Sequence, residues 1–236
     1  DTPTPGHAIF SWKKLIRIAL IGSAIWLISM AALISEFGWD SAFTQMGWFF
    51  TKAALLTFGG AYAVLPYVYQ GAVEHYQWLS ATQMMDALAL GETTPGPLVM
   101  VNTFVGFVGG WLGTGATQIG AFASALIAAT IVTFFTFLPS FVFILMGGPF
   151  IETTHGNLKL TAPLTAITAA VVGVILNLAL FFAYHVFYPT GFDGSLDLFA
   201  LSLSIAALVS VFKLKLSVIP VILISGLIGM GCQLFI

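Results

Sequence analysis

The sequence predicts an all-α polytopic membrane protein: a helical bundle with two glycine- and proline-broken helix hairpins, re-entrant or discontinuous. Three observations lead there. Hydrophobic residues make up 59% of the 236 and charged residues only 7%, against roughly 25% charged in a soluble domain. Apolar runs of about 20 residues recur, the length that a hydrocarbon core of roughly 30 Å demands. Between Trp48 and Trp111, moreover, two apolar segments are interrupted, at TFGGAYAVLP (Thr57 to Pro66) and at GETTPGPLVM (Gly91 to Met100). Glycine and proline cost a helix rigidity or a backbone hydrogen bond. In lipid such breaks persist only where the freed backbone is buried in protein or lines a polar cavity. A pair of them points to the binding site of a transporter.

Composition also excludes several classes. Net charge is −2 with no basic tract, so nucleic acid is not expected as a partner. Cys232 stands alone and no Cys/His spacing resembles a zinc site. No metal, cofactor or catalytic residue is expected, and no Ser/His/Asp pattern suggests an enzyme. The 22 Phe and 6 Trp suit a lipid-facing surface with interfacial anchors. The chain begins at Asp1 rather than Met, which suggests a fragment or a processed product.

Taken in order, residues 1–12 are a polar, proline-containing lead. Leu15–Ile34 is the first span, and it is too long for the apolar core of a signal peptide. Lys13, Lys14 and Arg17 set its start in the cytoplasm, leaving Glu36 and Asp40 outside. After the interrupted region, Ile119 to Met146 is apolar and is expected to stop at Gly147-Gly148-Pro149. A polar loop, Glu152–Lys159, precedes the span Ala162–Phe187. An acidic loop, Pro189 to Asp197, leads to a closing pair, Leu198–Phe212 and Leu216–Phe235, joined at Lys213 and Lys215. With those lysines inside, the interrupted region must begin and end on the outer side. Gly71–Gln83 carries no Lys or Arg, which favours two re-entrant hairpins over two full crossings. Each arm is nonetheless about 16 residues, or roughly 24 Å of helix, nearly enough to cross.

The breaks carry the chemistry. If Phe49–Phe58 and Ala61–Tyr69 are half-helices joined at Gly59-Gly60, the amides opening the second face a pocket with partial positive charge. Glycine lets an anion come close to such a helix start. Pro95-Gly96-Pro97 repeats the device, with Pro97 suited to a first helical turn and Thr93 and Thr94 offering hydroxyls. Lys52, the only basic residue between Arg17 and Lys159, either attracts an oxyanion or snorkels to the interface beside Trp48. Glu92 either carries a coupling proton or pairs with Lys52, because an intramembrane carboxylate is costly otherwise; the plainer reading is a helix-end carboxylate in water. Asp86, Glu74 and His75 read as interfacial. Asn102 and Asn177 read first as contacts between helices, and Gly106 with Gly110 as a small-residue packing pair. The candidate substrate contacts are Lys52, Thr57, Gly59, Gly60, Tyr62, Thr93, Thr94, Gly96 and Asn102, with Glu92 the candidate proton carrier.

FGGAYAVLP, the Trp78 that follows, DALALGETTPGPLVMVNTFVGF and the closing Gly110-Trp111 resemble the second half of chromate ion transporters. The likeness covers most of residues 43–150, and ETTPGP is its most specific part. Members of that family typically carry two homologous halves of opposite orientation, or occur as paired short chains. Ala61 follows the paired glycines as in second halves, where first halves have proline. The resemblance implies residues 1–14 as a cytoplasmic linker, 15–41 as a connecting transmembrane helix and 42–236 as a transporter half-domain. Within the half-domain, broken hairpins fill 43–112 and a helical bundle 118–236. It implies chromate export across the bacterial inner membrane, with proton antiport through Glu92 as a supplement. The expected partners are a chromate or sulfate-like oxyanion, the lipid bilayer, and a homologous N-terminal half or a second copy in a homo- or heterodimer. Sulfate or molybdate uptake, or an assembly subunit that transports nothing, are the competing expectations.

Overall fold

The computed structural model describes residues 12–57, 61–94, 96–113, 119–153, 158–188, 191 and 194–235. Among them every regular element is helical. Helix α1 is Trp12–Phe37, α2 Ala42–Leu56 and α3 Ala61–Tyr69, which runs into a π-helical stretch, Gln70–His75. Then come α4 (Ala81–Thr93), a 3-10 turn (Leu98–Met100) leading into α5 (Val101–Leu112), and α6 (Ala121–Thr153). Helices α7 (Leu158–Phe187), α8 (Leu198–Phe212) and α9 (Val218–Phe235) complete the order. Trp12–Phe37, Ala121–Gly147 and Ala169–Phe187 are long and apolar enough to cross a bilayer. The protein is a multi-pass helical membrane protein.

Several boundaries differ from the sequence reading: α7 starts at Leu158 rather than Ala162, within the expected loop Glu152–Lys159, and α9 starts at Val218 rather than Leu216. Helix α6 does not stop at Gly147-Gly148-Pro149 but continues to Thr153. Glycine costs helix propensity without removing a hydrogen bond, and proline in a membrane helix is tolerated when neighbours absorb the freed carbonyl. Helix α1 starts before Leu15 and ends beyond Ile34. Lys13, Lys14 and Arg17 are exposed there, and long basic side chains let the helix run on while their charges reach water.

The chain divides into two compact units, Asp1–Gly91 with Gly96–Ile175, and Glu92–Pro95 with Leu176–Ile236. In the first, α2 is the central helix. Phe43, Met46, Phe49, Phe50, Ala53 and Ala54 are buried around most of its circumference, a wider face than one stripe, with Gln45, Trp48 and Lys52 half-buried and Leu55 and Leu56 exposed. Ser41 caps its start, accepting from the Phe43 N–H at 3.3 Å. Thr44 donates to Gly38 O at 2.8 Å, and Trp26 Nε1 donates to Thr51 Oγ1 at 2.9 Å, tying α1 to α2. Helix α5 lies close on α6: a Cβ at Gly106 would stand 2.9 Å from Ala128 O, and one at Gly110 2.6 Å from Ser124 O. Ser124 Oγ donates to Gly110 O at 2.7 Å, and the Thr103 and Thr133 hydroxyls meet at 2.8 Å. Small residues spaced by four are what such a backbone approach requires.

Beyond α3 the chain runs back along α2. Tyr67 stacks on Phe49 with centroids 5.0 Å apart, Gly71 lies against the same ring, and the Tyr76 hydroxyl donates to Gln45 Oε1 at 3.3 Å. Gln77 turns the chain at φ +53°. At the other end of the next pair, Gly91 meets Val101, while Gly109 lies against Trp78 and Met46.

In the second unit, Asp197 caps α8. Its N–H donates to Phe187 O at 2.9 Å and its carboxylate accepts from the Ala200 N–H at 2.8 Å. Lys215 at φ +54° makes the turn between α8 and α9. Leu198, Phe212, Ile219 and Leu227 are exposed, as suits side chains that face lipid.

Candidate functional site

A cavity of about 320 Å³ opens in the first unit between Ala54 and Thr57 at the end of α2, Pro97 to Val99 at the start of α5, and Thr136, Phe137 and Ser140 on α6. Each wall follows from local sequence. Helix α2 ends because Thr57 leaves helical geometry, at φ −76° and ψ +87°. Its hydroxyl turns back to donate to Ala53 O at 2.6 Å. Pro97 sits extended at φ −68° and ψ +125°, where a locked φ and a missing N–H do no harm. Its carbonyl accepts from Met100 N at 2.9 Å, starting the next helix. The Leu98 and Val99 amides fall in that first turn, which has no carbonyl partners of its own. On α6, Pro139 removes the N–H that would have bonded Phe135 O.

Thr136 separates this cavity from an ordinary packing defect. It is 4% exposed, and its Oγ1 has no hydrogen-bond partner. Thr51, Thr57, Thr130 and Thr133 each donate to the carbonyl four residues earlier, at 2.7, 2.6, 2.8 and 2.7 Å. Thr136 has the same opportunity on α6 and does not take it. Asn102, at 2% exposed, likewise holds an unpartnered Oδ1. The α5–α6 register that sets Gly110 on Ser124 O and Gly106 on Ala128 O puts Asn102 one turn further on, at the level of Val132 and one turn of α6 before Thr136. Among the described residues none that lines the cavity carries a charged side chain, and the lining is mostly apolar, with Thr57, Thr136 and Ser140 as its hydroxyl-bearing members.

The sequence-derived residues divide between places. Thr57 lines the cavity, whereas Asn102 is buried in the α5–α6 contact and is not among the residues that line it. Lys52 lies elsewhere: its Nζ is 5.6 Å from the Trp48 ring centroid. It lines a separate cavity of about 460 Å³ with Tyr67, Gln70, Glu74 and His75. Tyr62 is exposed on α3, and Thr94 and Gly96 are exposed beyond α4. Gly59 and Gly60 lie outside the described residues, as do the side chains of Glu92 and Thr93. Sequence reasoning passed over Thr136 and Ser140, which sit within the apolar run Ile119 to Met146. The usable signal was a threonine, a proline and a serine inside five residues of a membrane helix.

A family profile described as chromate transporter matches residues 44–230. The chain belongs to the chromate transporter family. That is a family of transporters, not enzymes. Among its curated relatives, a chromate transport protein of Pseudomonas aeruginosa is 38% identical over 183 residues, covering 75% of this chain and 39% of the relative. A chromate transport protein of Cupriavidus metallidurans is 31% identical over 150 residues, covering 63% of this chain and 33% of the relative. An uncharacterized transporter of Methanocaldococcus jannaschii is 28% identical over 190 residues, covering 80% and 42%. This member of the chromate transporter family thus spans about two fifths or less of those relatives' length. No solved structure matches it.

Proposed function

We propose that this chain is one half of a chromate transporter of the bacterial inner membrane and that its oxyanion seat is the cavity at Thr57, Pro97–Val99 and Thr136. The observation that carries the reading is the meeting of both interruption edges, Thr57 and Pro97–Val99, against Thr136 and Ser140 of α6, with no charged side chain among the described residues of the wall. Such a wall suits a tetrahedral dianion, whose oxygens accept from hydroxyls and from amides at a helix start. Residues 1–14 then serve as a cytoplasmic linker, 15–41 as the connector and 42–236 as the half-domain. A homologous half, or a second copy, completes the transporter.

Two re-entrant hairpins fit this arrangement. Tyr76 returns to Gln45 and Gly109 returns to Met46 and Trp78, while the two tips meet near the middle of the 33-residue α6. The membrane potential, negative inside, drives anion exit by roughly 2.3 kcal/mol per charge per 100 mV, about twice that for a dianion. Glu92 supplies the coupling proton. A wall of hydroxyls and amides reads oxygen geometry rather than the central atom, so sulfate and molybdate should compete.

Inverted vesicles carrying the chain with its homologous half are expected to accumulate chromate. Gly60→Leu should lower the initial rate at least about tenfold, the equivalent of roughly 1.4 kcal/mol. Glu92→Gln should remove the dependence on a pH gradient while leaving potential-driven flux. If both variants move chromate like the unsubstituted pair, the seat is elsewhere.

A further inference from the structure

Resting on the oxyanion reading above, we propose that the Lys52 cavity is a second anion subsite, and that it selects oxyanions carrying a proton, hydrogen chromate or phosphate, over fully deprotonated sulfate. Lys52 holds the bare oxygens, and Glu74 accepts a hydrogen bond from the protonated one.

The cavity takes its character from a change of helix pitch. Gln70–His75 is π-helical, and the Tyr76 N–H donates to Gly71 O, five residues back, at 2.8 Å. In an α-helix a residue five positions on lies about 140° round the axis. In turns closed by i→i+5 bonds, positions four and five along both return near the starting line. The wider turn thus gathers Glu74 and His75 onto the line of Gln70, and all three border one cavity of about 460 Å³. Short π-helical stretches of this kind recur at functional sites. Helix α2 contributes Lys52 to the wall and α3 contributes Tyr67.

The state of the two charged groups points to a guest. Lys52 stands ten residues beyond the start of α2, roughly 15 Å along it, where an ammonium group in a membrane helix is costly unless paired. Its Nζ lies 5.6 Å from the Trp48 ring centroid. Among the described residues, however, neither Lys52 nor Glu74 forms an ion pair, although both border this cavity. Tyr67, His75 and Tyr76 are the other ionisable groups of the described wall, and the Tyr76 proton already goes to Gln45 Oε1.

An ammonium group only donates and an ionised carboxylate only accepts. A singly protonated oxyanion matches both, with bare oxygens for Lys52 and an O–H for Glu74. A fully deprotonated dianion offers Glu74 no proton and meets its charge instead, the kind of repulsion that creates specificity. Near neutral pH phosphate always carries a proton and chromate carries one in part, whereas sulfate carries none. The seat at Thr57 reads oxygen geometry alone, so the Lys52 cavity adds a discrimination that the seat lacks.

A thiol at the rim tests this. Gln70 is exposed there, so the full chain with Cys232→Ser and Gln70→Cys is placed in lipid nanodiscs. Its rate of reaction with a maleimide is followed in phosphate or sulfate at equal pH and ionic strength. A bound anion shields the thiol, so phosphate should slow labelling at least about threefold and sulfate by less than about half as much. Lys52→Gln should raise the Kd for phosphate at least about fivefold, since a hydrogen bond to a charged group is lost. Glu74→Gln should let sulfate protect as well as phosphate does, because glutamine offers a donor and carries no charge. Equal protection by the two anions before Glu74 is changed, or sulfate still excluded afterwards, overturns the selection of a protonated oxyanion. Protection by neither anion, or phosphate protection untouched by Lys52→Gln, overturns the subsite. Chromate uptake by inverted vesicles carrying the chain with its homologous half separates this from the reading beneath it. Flux that persists without protection leaves the oxyanion reading standing; absent flux overturns that reading and this subsite with it.

Discussion

Lys52 lies over the Trp48 ring and shares a cavity with Glu74 and His75, while the other cavity opens about one and a half turns along α2, at Thr57. Five residues of helix separate them by roughly 7.5 Å, too far for Lys52 to bond an anion seated at Thr57 and near enough to raise its local concentration. Toward that seat, a charge in that position steers rather than binds, and salt screens it. Lys52→Gln is therefore expected to raise the KM for chromate severalfold with little change in Vmax, and the difference should shrink at high salt. Transport kinetics at two ionic strengths decide this; a collapse of Vmax would put the lysine in the seat. Thr57 was legible in the sequence because it borders a glycine pair. Thr136 was not, because a hydroxyl in an apolar run almost always bonds its own helix, and no local pattern marks the one that does not.

Between elements, the sequence conveyed type better than extent. Helix α8 occupies the segment read from the apolar pattern, Leu198–Phe212, because a capping Asp197 and Lys213 bound it. Helix α6 outran its glycine pair and proline, since those residues weaken a helix without ending it where lipid punishes open backbone. The same residue type has opposite consequences at two sites. Gly110 lies where a Cβ would stand 2.6 Å from the Ser124 carbonyl oxygen and 2.9 Å from Ala125 Cα, both of them backbone atoms. Gly147 is helical with nothing within 4 Å of that position. Gly110→Leu should pry α5 from α6 at a cost of about 1–3 kcal/mol or more, read as a lowered melting temperature in detergent. Gly147→Ala should hold or raise it, by up to about 1 kcal/mol of helix propensity. Equal behaviour of the two variants would mean that the α5–α6 contact is not close-packed.

For the molecule as a whole, the decisive matter is on which side of the membrane each hairpin returns. Five of the seven basic residues, Lys13, Lys14 and Arg17 in the first two turns of α1 and Lys213 and Lys215 after α8, fix only the chain's ends. In between, the sequence allowed either dipping or crossing, because an arm of about 16 residues is long enough for both. The tertiary contacts weigh toward dipping. Tyr76 bonds Gln45, close to where α2 began, and Gly109 meets Trp78, so each pair of arms closes on the level from which it started. Trp39, Gln77 and Leu112 are exposed and mark that level, whereas Lys14 marks the far end of α1. With Cys232 replaced by Ser, single cysteines at Trp39, Gln77 and Leu112 should react with an impermeant maleimide from one side of sealed vesicles, and one at Lys14 only from the other. A Gln77 cysteine that labels with Lys14 would mean that α2 and the Ala61–His75 arm together cross the bilayer. The cavity at Thr57 would then lie partway along a crossing, and an anion path would have to run beside continuous helix instead of between two tips. Labelling on the Trp39 side leaves the tips facing each other at mid-membrane, where a homologous half of opposite orientation would bring its own pair from the other side and make one path from two half-depth clefts.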